Sequence, residues 1–453
     1  MKVLKFGGTS VKNADKLRKV STLLPENEPI IVVLSAMAGI TNGLIEITEF
    51  AQTGKMLEAT EKTKELENEH IKTAEELFKT KLYRKRGKEF VGSLFHRITS
   101  KLTDGYNQND THTIISLGEQ LSVGLFHMLL TEQGKKVVYV PALEYMRVDK
   151  DGEPDYFYIE QNLKRLLHAN PFASIYVTEG FICRNANGLV DNLGRGGSDY
   201  TAAIIGNVIN ANEVQIWTDI DGVHNNDPRF VSNTFPLRKL SYDEAAELAY
   251  FGAKILHPQT IQPCRVKSIP VALKNTLNPS DIGTVISSAQ SLRGIKAIAA
   301  KDGITAIKIK SSRMLLAYGF LRKVFEIFDA YKTPVDMIAT SEVSISLTID
   351  STNHSEDIVN SLKHFAHVEV ECNQTIVCVV GDFPASHKGY VAMIFDCLRE
   401  IPIRMISYGG NQNNISFLID THYKVQALRL LQQLFPAAGV SSSNHHNIEV
   451  NTI

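Results

Sequence analysis

Asp191-Asn192-Leu193-Gly194-Arg195-Gly196-Gly197-Ser198-Asp199-Tyr200-Thr201 is the stretch from which the rest of the chain is read. Three glycines surround an arginine and run into Ala202-Ala203-Ile204-Ile205, the pattern of a helix start with Ser198 expected as its cap. Glycine lets a backbone approach a ligand closely, and the free amides and positive dipole end of a helix start favour an anion. Arg195 adds a planar fork of donors suited to a carboxylate or a phosphate. A tight strand-to-helix turn with a solvent-facing arginine explains the same residues, and the loop alone does not separate the two readings.

Two further loops have the same character. Residues 3–6 read as a short strand that exits at Lys5 into Gly7-Gly8-Thr9-Ser10, before helical residues 12–23. Such a turn can offer amides to phosphate oxygens while the lysine supplies a point charge, although the loop taken alone reads more simply as a plain hairpin or helix cap. The sequence does not match the common phosphate loop Gly-x-x-x-x-Gly-Lys-Ser/Thr. Residues 29–34, Pro-Ile-Ile-Val-Val-Leu, form an apolar, β-branched run expected of a strand buried on both faces in a parallel sheet. It ends in Ser35-Ala36-Met37-Ala38-Gly39-Ile40-Thr41-Asn42, before a helix expected over 43–51. In open α/β sheets the carboxyl ends of strands line the ligand crevice, so loops from separate strands can meet on one substrate.

Residues 55–102 carry Glu and Lys at helical spacing, the pattern of a solvated helical face, and His70 and His112 read as structural. In the following helix Glu119 stands within an apolar and small-residue patch, where a carboxylate could meet a substrate amine or serve a cap or salt bridge. Strands are expected at 136–140, 174–178 and 213–219, with Trp217 in the core, then a helix over 241–251 and a domain end near 282–286. The last third repeats itself. Helix 319–331 with strands 334–340 and 343–350 is echoed by helix 390–400 with strands 402–407 and 414–420. Exposed sheet edges in such small units invite pairing with a second copy.

A chain of 453 residues exceeds one ordinary core, so two or three domains are expected. The net charge of −1, with both signs mixed, gives no nucleic-acid footprint. The start Met1-Lys2-Val3-Leu4-Lys5-Phe6 has no signal-peptide core, and no apolar run suits a bilayer span. Five cysteines without close-pair spacing read as reduced, mostly buried thiols, and a cytoplasmic setting is expected.

The motifs at 5–10, 35–42 and 194–199, with Phe251-Gly252-Ala253-Lys254-Ile255-Leu256-His257-Pro258, together resemble aspartate kinase over nearly the whole chain. The resemblance implies an α/β fold: an amino-acid-kinase three-layer sandwich with a mostly parallel sheet, followed by two α+β ACT domains. Its expected domains are 1–290 for catalysis, 312–375 for the first ACT unit, and 300–311 with 376–453 for a second into which the first is inserted. Strand 304–310 would then belong to the C-terminal unit. The chain is too short for a fused homoserine dehydrogenase, so a monofunctional enzyme is expected.

The reaction implied is transfer of the γ-phosphoryl of ATP, with Mg²⁺, to the β-carboxylate of L-aspartate, the first step towards lysine, threonine and methionine. The metal would be held by phosphates and water, with no dedicated protein motif. By this resemblance Lys5, Asp199 and Arg195 are catalytic; Thr41, Glu119, Arg195 and Ser198 bind the acceptor. Lys5, Gly7, Gly8, Thr218, Asp219, His224, Arg229 and Lys254 form the nucleotide side. Met314, Gly319, Phe320, Leu321, Val335, Asp336 and Ser341 form an effector site for L-lysine, in an ACT-paired homodimer or a tetramer without nucleic-acid or membrane partners. The sequence departs from the family at Asp221, His224, Ala317 and Tyr318, where proline, tyrosine, serine and arginine are usual. Threonine as effector, another amino-acid kinase such as glutamate kinase, and an amino-acid sensor with a vestigial kinase domain are the alternatives.

Overall fold

The computed structural model describes residues 1–252, 258–289, 294–311, 318–350, 352–384, 386 and 388–435. The chain divides into two compact units, Met1–Val223 with Arg238–Ala246 and Lys254–Gln290, and His224–Leu237 with Glu247–Ala253 and Ser291–Ile453. The expected boundary near 290 is therefore only the last of several crossings. Residues 225 and 226 show why: the Asn226 side chain donates to Leu428 O at 2.9 Å and to Gln432 Oε1 at 3.1 Å, and Ile298 N donates to Asn225 O at 2.8 Å.

The first unit contains strands β1 Lys2–Phe6, β2 Ile30–Leu34, β3 Val137–Tyr139, β4 Ile175–Glu179, β5 Ile182–Arg184, β6 Val190–Asn192, β7 Glu213–Thr218, β8 Lys239–Ser241, β9 Val271–Asn275 and β10 Thr284–Ser287. Eight of them form one sheet in the order β3-β4-β2-β1-β7-β9-β10-β8, parallel except between β9 and β10, while β5 and β6 make a separate hairpin. The β-branched runs do what the sequence led one to expect: β2 and β4 are buried throughout. Phe6 stacks on Trp217 across the β1–β7 pair, with ring centroids 5.7 Å apart.

The helices of this unit are α1 Ala14–Leu23, α2 Ile40–Gln52, α3 Met56–Leu77, α4 Lys81–Thr103, α5 Asp110–Glu132, α6 Tyr156–His168, α7 Gly197–Ile209, the start of α8 Tyr242–Tyr250, and α9 Pro258–Val266. The charged stretch is two helices, α3 and α4, each with a buried face. His70 is fully buried, its Nδ1 2.7 Å from Leu66 O, a structural histidine as read. Helix α5 is long and apolar enough to cross a membrane by composition alone, yet 72% of its apolar window is buried inside the fold.

The second unit is organised on β11 Gly294–Lys310 and β14 His367–Asp382, two long antiparallel strands shared by both repeats. With β12 Ile338–Thr340, β13 Ser344–Ile349, β15 Met405–Ser407 and β16 Asn414–Asp420 they make a sheet ordered β12-β13-β11-β14-β16-β15. Helices α10 Phe320–Ala330 and α11 Ser355–Lys363 cover one half, and α12 Tyr390–Cys397 and α13 Lys424–Leu431 the other. The duplication is visible, but one assignment changes. Ile307 and Ile309 join the core formed with Phe320, Val324 and Leu347, whereas Ile298 joins the core of Ile394, Phe417 and Leu428. The half of β11 that serves the C-terminal repeat is thus Gly294–Lys301, not residues 304–310. Register shifts at Lys301/Ile304 and Ile304/Ala306, with Gly303 at φ +77°, turn the strand between the two cores.

Candidate active site

Three loops leave the carboxyl ends of β1, β2 and β4 and are tied to one another by backbone hydrogen bonds. Ser35 N donates to Phe6 O at 3.2 Å, Ala38 N to Gly8 O at 3.2 Å, and Gly180 N to Leu34 O at 2.9 Å. Gly8 is required by proximity, since a Cβ there would lie 2.8 Å from Ala36 O. The expected cap of α7 is corrected. Gly196, at φ +72°, is the N-cap and Ser198 lies buried in the first turn, because only glycine accepts this left-handed conformation without cost. The loop also leaves the β5–β6 hairpin, not a strand of the main sheet.

Lys5, Ser35, Thr41, Glu119, Phe181, Arg195, Ser198 and Asp199, with Gly194, Gly196 and Gly197, line one cleft of about 320 Å³. Lys5 Nζ is 2.5 Å from Asp199 Oδ1, and both side chains are largely buried. Glu119 is 3% exposed; its Oε1 accepts from Ala36 N at 3.1 Å, and its Oε2 has no partner among the described residues. Burial pushes its carboxyl up to about 8, with the Ala36 amide opposing. Arg195 is exposed and makes no ion pair among the described residues. An exposed cation and a buried, half-satisfied carboxylate therefore share one small cleft.

Gly7 lies beside this centre, since a Cβ there would be 3.5 Å from Lys5 Nζ, and its amide donates to Trp217 O at 3.2 Å. Thr218 ends β7 and Asp219 follows it, the Thr218 hydroxyl donating to Asp219 Oδ1 at 3.1 Å. His224 and Arg229 fall in the second unit, where Arg229 Nη2 is 2.6 Å from Asp227 Oδ2. Lys254 and Met314 lie outside the described residues.

Among the residues expected to hold an effector, Gly319 is the left-handed N-cap of α10, Phe320 is buried and Leu321 exposed, and Val335 packs beside the first-repeat core. Ser341 bonds to Ser344 through both backbone and side chain. Asp336 is not a free acid: Lys301 and Tyr250 both hold its Oδ1. The expected strand 334–340 shrinks to Ile338–Thr340, because Asp336 N and Met337 N are taken by Thr348 O and Thr348 Oγ1.

Sequence reading passed over Ser35 as a lining residue, Phe181 and Glu179. Phe181 adopts φ +69°, which a bulky residue rarely does, and nothing in its local sequence announces it. Its amide donates to Thr201 Oγ1 at 3.0 Å and its carbonyl accepts from Leu193 N at 2.8 Å, so neighbouring elements impose the strain. Glu179, buried at the end of β4, accepts from Ala142 N at 2.8 Å and from the Tyr139 hydroxyl. Burial raises its pKa.

The amino acid kinase family matches residues 1–275, and an ACT domain matches 377–435. Aspartokinase 2, chloroplastic, of Arabidopsis thaliana is 33% identical over 96% of this chain and 84% of its own length. Lysine-sensitive aspartokinase 3 of Escherichia coli is 33% identical over 94% of this chain and 98% of its own. The structure of E. coli aspartokinase III in complex with aspartate and ADP (R-state) superposes with a TM-score of 0.83 at 32% identity, covering 96% of this chain and 99% of that one. The same enzyme with lysine and aspartate (T-state) gives 0.79 at 32% identity, covering 96% and 100%. This chain belongs to the amino acid kinase family and, within it, to the aspartokinases.

Proposed function

We propose that the cleft binds L-aspartate and that the chain transfers the γ-phosphoryl group of ATP to its β-carboxylate, giving 4-phospho-L-aspartate for lysine, threonine and methionine synthesis. The observation that carries this reading is the pairing in one cleft of an uncommitted guanidinium, Arg195, with the buried carboxylate of Glu119. Those two groups complement the carboxylate and ammonium of a small amino acid. Thr41 and Ser198 add hydroxyls to the same lining. The accepting carboxyl, with a pKa near ~3.9, is already ionised at neutral pH, so no general base is required. Catalysis then rests on positioning and on neutralising two anions brought together. Lys5 would meet the transferring phosphoryl, a reading supported by the 2.5 Å ion pair through which Asp199 would orient its ammonium. Gly7 and Gly8 would lie against the phosphates, with Thr218 and Asp219 on the nucleotide side.

No three His, Cys, Asp or Glu side chains converge as a metal cage among the described residues. Mg²⁺ suits this donor set as an ion carried largely by the nucleotide phosphates, whose charge it neutralises. The repeats of the second unit would act as ACT domains that bind L-lysine near Asp336 and pair two chains into a homodimer, or a tetramer, in the cytoplasm. The test of the acceptor site is Arg195→Ala. Losing a charge-assisted contact of about 1.5–3 kcal/mol should raise the aspartate KM roughly ten- to a hundredfold and barely change that for ATP. An equal rise for both substrates would reduce the loop to a structural turn.

A further inference from the structure

Asp336 sits in a cluster with Lys301 of β11, Asp350 just after β13, and Tyr250 at the end of α8. Its side chain is 1% exposed. Oδ1 accepts from Lys301 Nζ at 2.8 Å and from the Tyr250 hydroxyl at 2.6 Å, while Oδ2 is buried with no partner among the described residues. Lys301 has a second anchor, Asp350 Oδ2 at 2.9 Å, whose side chain is 38% exposed, and its Nζ lies 4.4 Å from the centre of the Tyr250 ring. Burying a carboxylate oxygen with no donor is costly, so Oδ2 would gain a partner from an ammonium that displaced Lys301. Because Asp350 stays available to Lys301, exchanging one cation for another at Asp336 leaves no ammonium stranded.

The last turn of α8 is well placed to register such an exchange. Glu247 accepts from the side chains of Asn411 at 2.8 Å and Asn414 at 2.5 Å, so this turn is held by the second repeat as well as by Asp336 of the first. Gly252 then crosses β11 so closely that a Cβ would lie 2.4 Å from Ala300 O, the carbonyl next to Lys301. Lys254 follows two residues later in sequence.

We propose that Lys301 is a built-in stand-in for the effector cation. A small amino acid carrying a side-chain ammonium competes with Lys301 for Asp336, and Tyr250 carries the result to the end of α8. This rests on the reading of Asp336 as part of an effector site. Lys301 bridges Asp336 and Asp350 at once in this structure, and its retreat to Asp350 alone when a ligand takes Asp336 is the second state whose population a ligand would bias.

The experiment uses the full-length protein with lysine as probe, measuring half-inhibiting concentration, maximal inhibition and the thermal shift caused by lysine. Lys301→Met removes the competitor and should lower the half-inhibiting lysine concentration about fivefold or more, with uninhibited kcat and KM unchanged. Lys301→Arg, which keeps the charge, should stay within about twofold of the unmodified protein. Tyr250→Phe should keep the thermal shift and lose most of the inhibition, and this variant decides alone if Lys301→Met does not fold. An unchanged or higher half-inhibiting concentration in Lys301→Met, or full inhibition in Tyr250→Phe, overturns the relay. If lysine neither inhibits nor stabilises the unmodified protein, the effector site itself is refuted and the relay with it.

Discussion

At the scale of single residues, the chemistry of the cleft depends on two acids held in different ways. Asp199 is paired with Lys5, whereas Glu119 is buried with one oxygen unsatisfied. Lys5→Ala should therefore collapse kcat while leaving nucleotide affinity near normal, read by single-turnover kinetics and equilibrium nucleotide binding. Retained turnover would remove Lys5 from the transfer step. Glu119 gives a pH prediction. Its folded pKa is about 8, because burial disfavours the anion, against about 4.3 for an exposed glutamate. Between those values the folded protein keeps a proton that the unfolded chain has released, so the contribution of Glu119 to stability falls as pH rises through the window and is level above it. Glu119→Gln mimics the protonated form and should remove a pH-dependent loss of a few kcal/mol, on the order expected for such a shift. Thermal unfolding without substrate at pH 5 and pH 8 measures this; parallel losses in both proteins would show that Glu119 is ionised throughout. The candidacy of Glu119 was legible from a carboxylate set among small and apolar residues. How its oxygens are satisfied was not, since Oε1 is held by the amide of Ala36, 83 positions away.

At the scale of elements, the strands and their glycine exits were readable because continuous β-branched runs have few alternatives to a doubly buried strand. The start of α7 was misread by two residues. Sequence preference favoured a serine cap, while the backbone needed a left-handed residue that Gly196 supplies. Ser198 is fixed instead by close packing, and a Cβ on Gly180 would lie 2.5 Å from Ser198 Cβ. Gly180→Ala should consequently cost about 1–3 kcal/mol in unfolding experiments and lower kcat/KM for aspartate at least tenfold. A variant with unaltered melting and activity would show that this contact does not position the helix. Phe181 was invisible for the opposite reason. Its positive φ is imposed by Thr201 and Leu193, which approach it only in the folded chain.

At the scale of the whole molecule, the repeat in the last third was plain in the order of its helices and strands, yet its boundaries were not. Two strands of 17 and 16 residues serve both copies, and a local pattern cannot show where one long strand changes cores. Nor can it show that residues 224–237 and 247–253 leave the first unit for the second, since their partners Gln432, Asn411 and Asn414 are far along the chain. The central claim, that one cleft of the first unit presents L-aspartate to ATP for acyl phosphate formation, is most directly tested by trapping the product. With ATP, Mg²⁺ and hydroxylamine, the protein is predicted to form aspartyl hydroxamate from L-aspartate and none from L-glutamate. Hydroxamate from glutamate with none from aspartate would contradict the account.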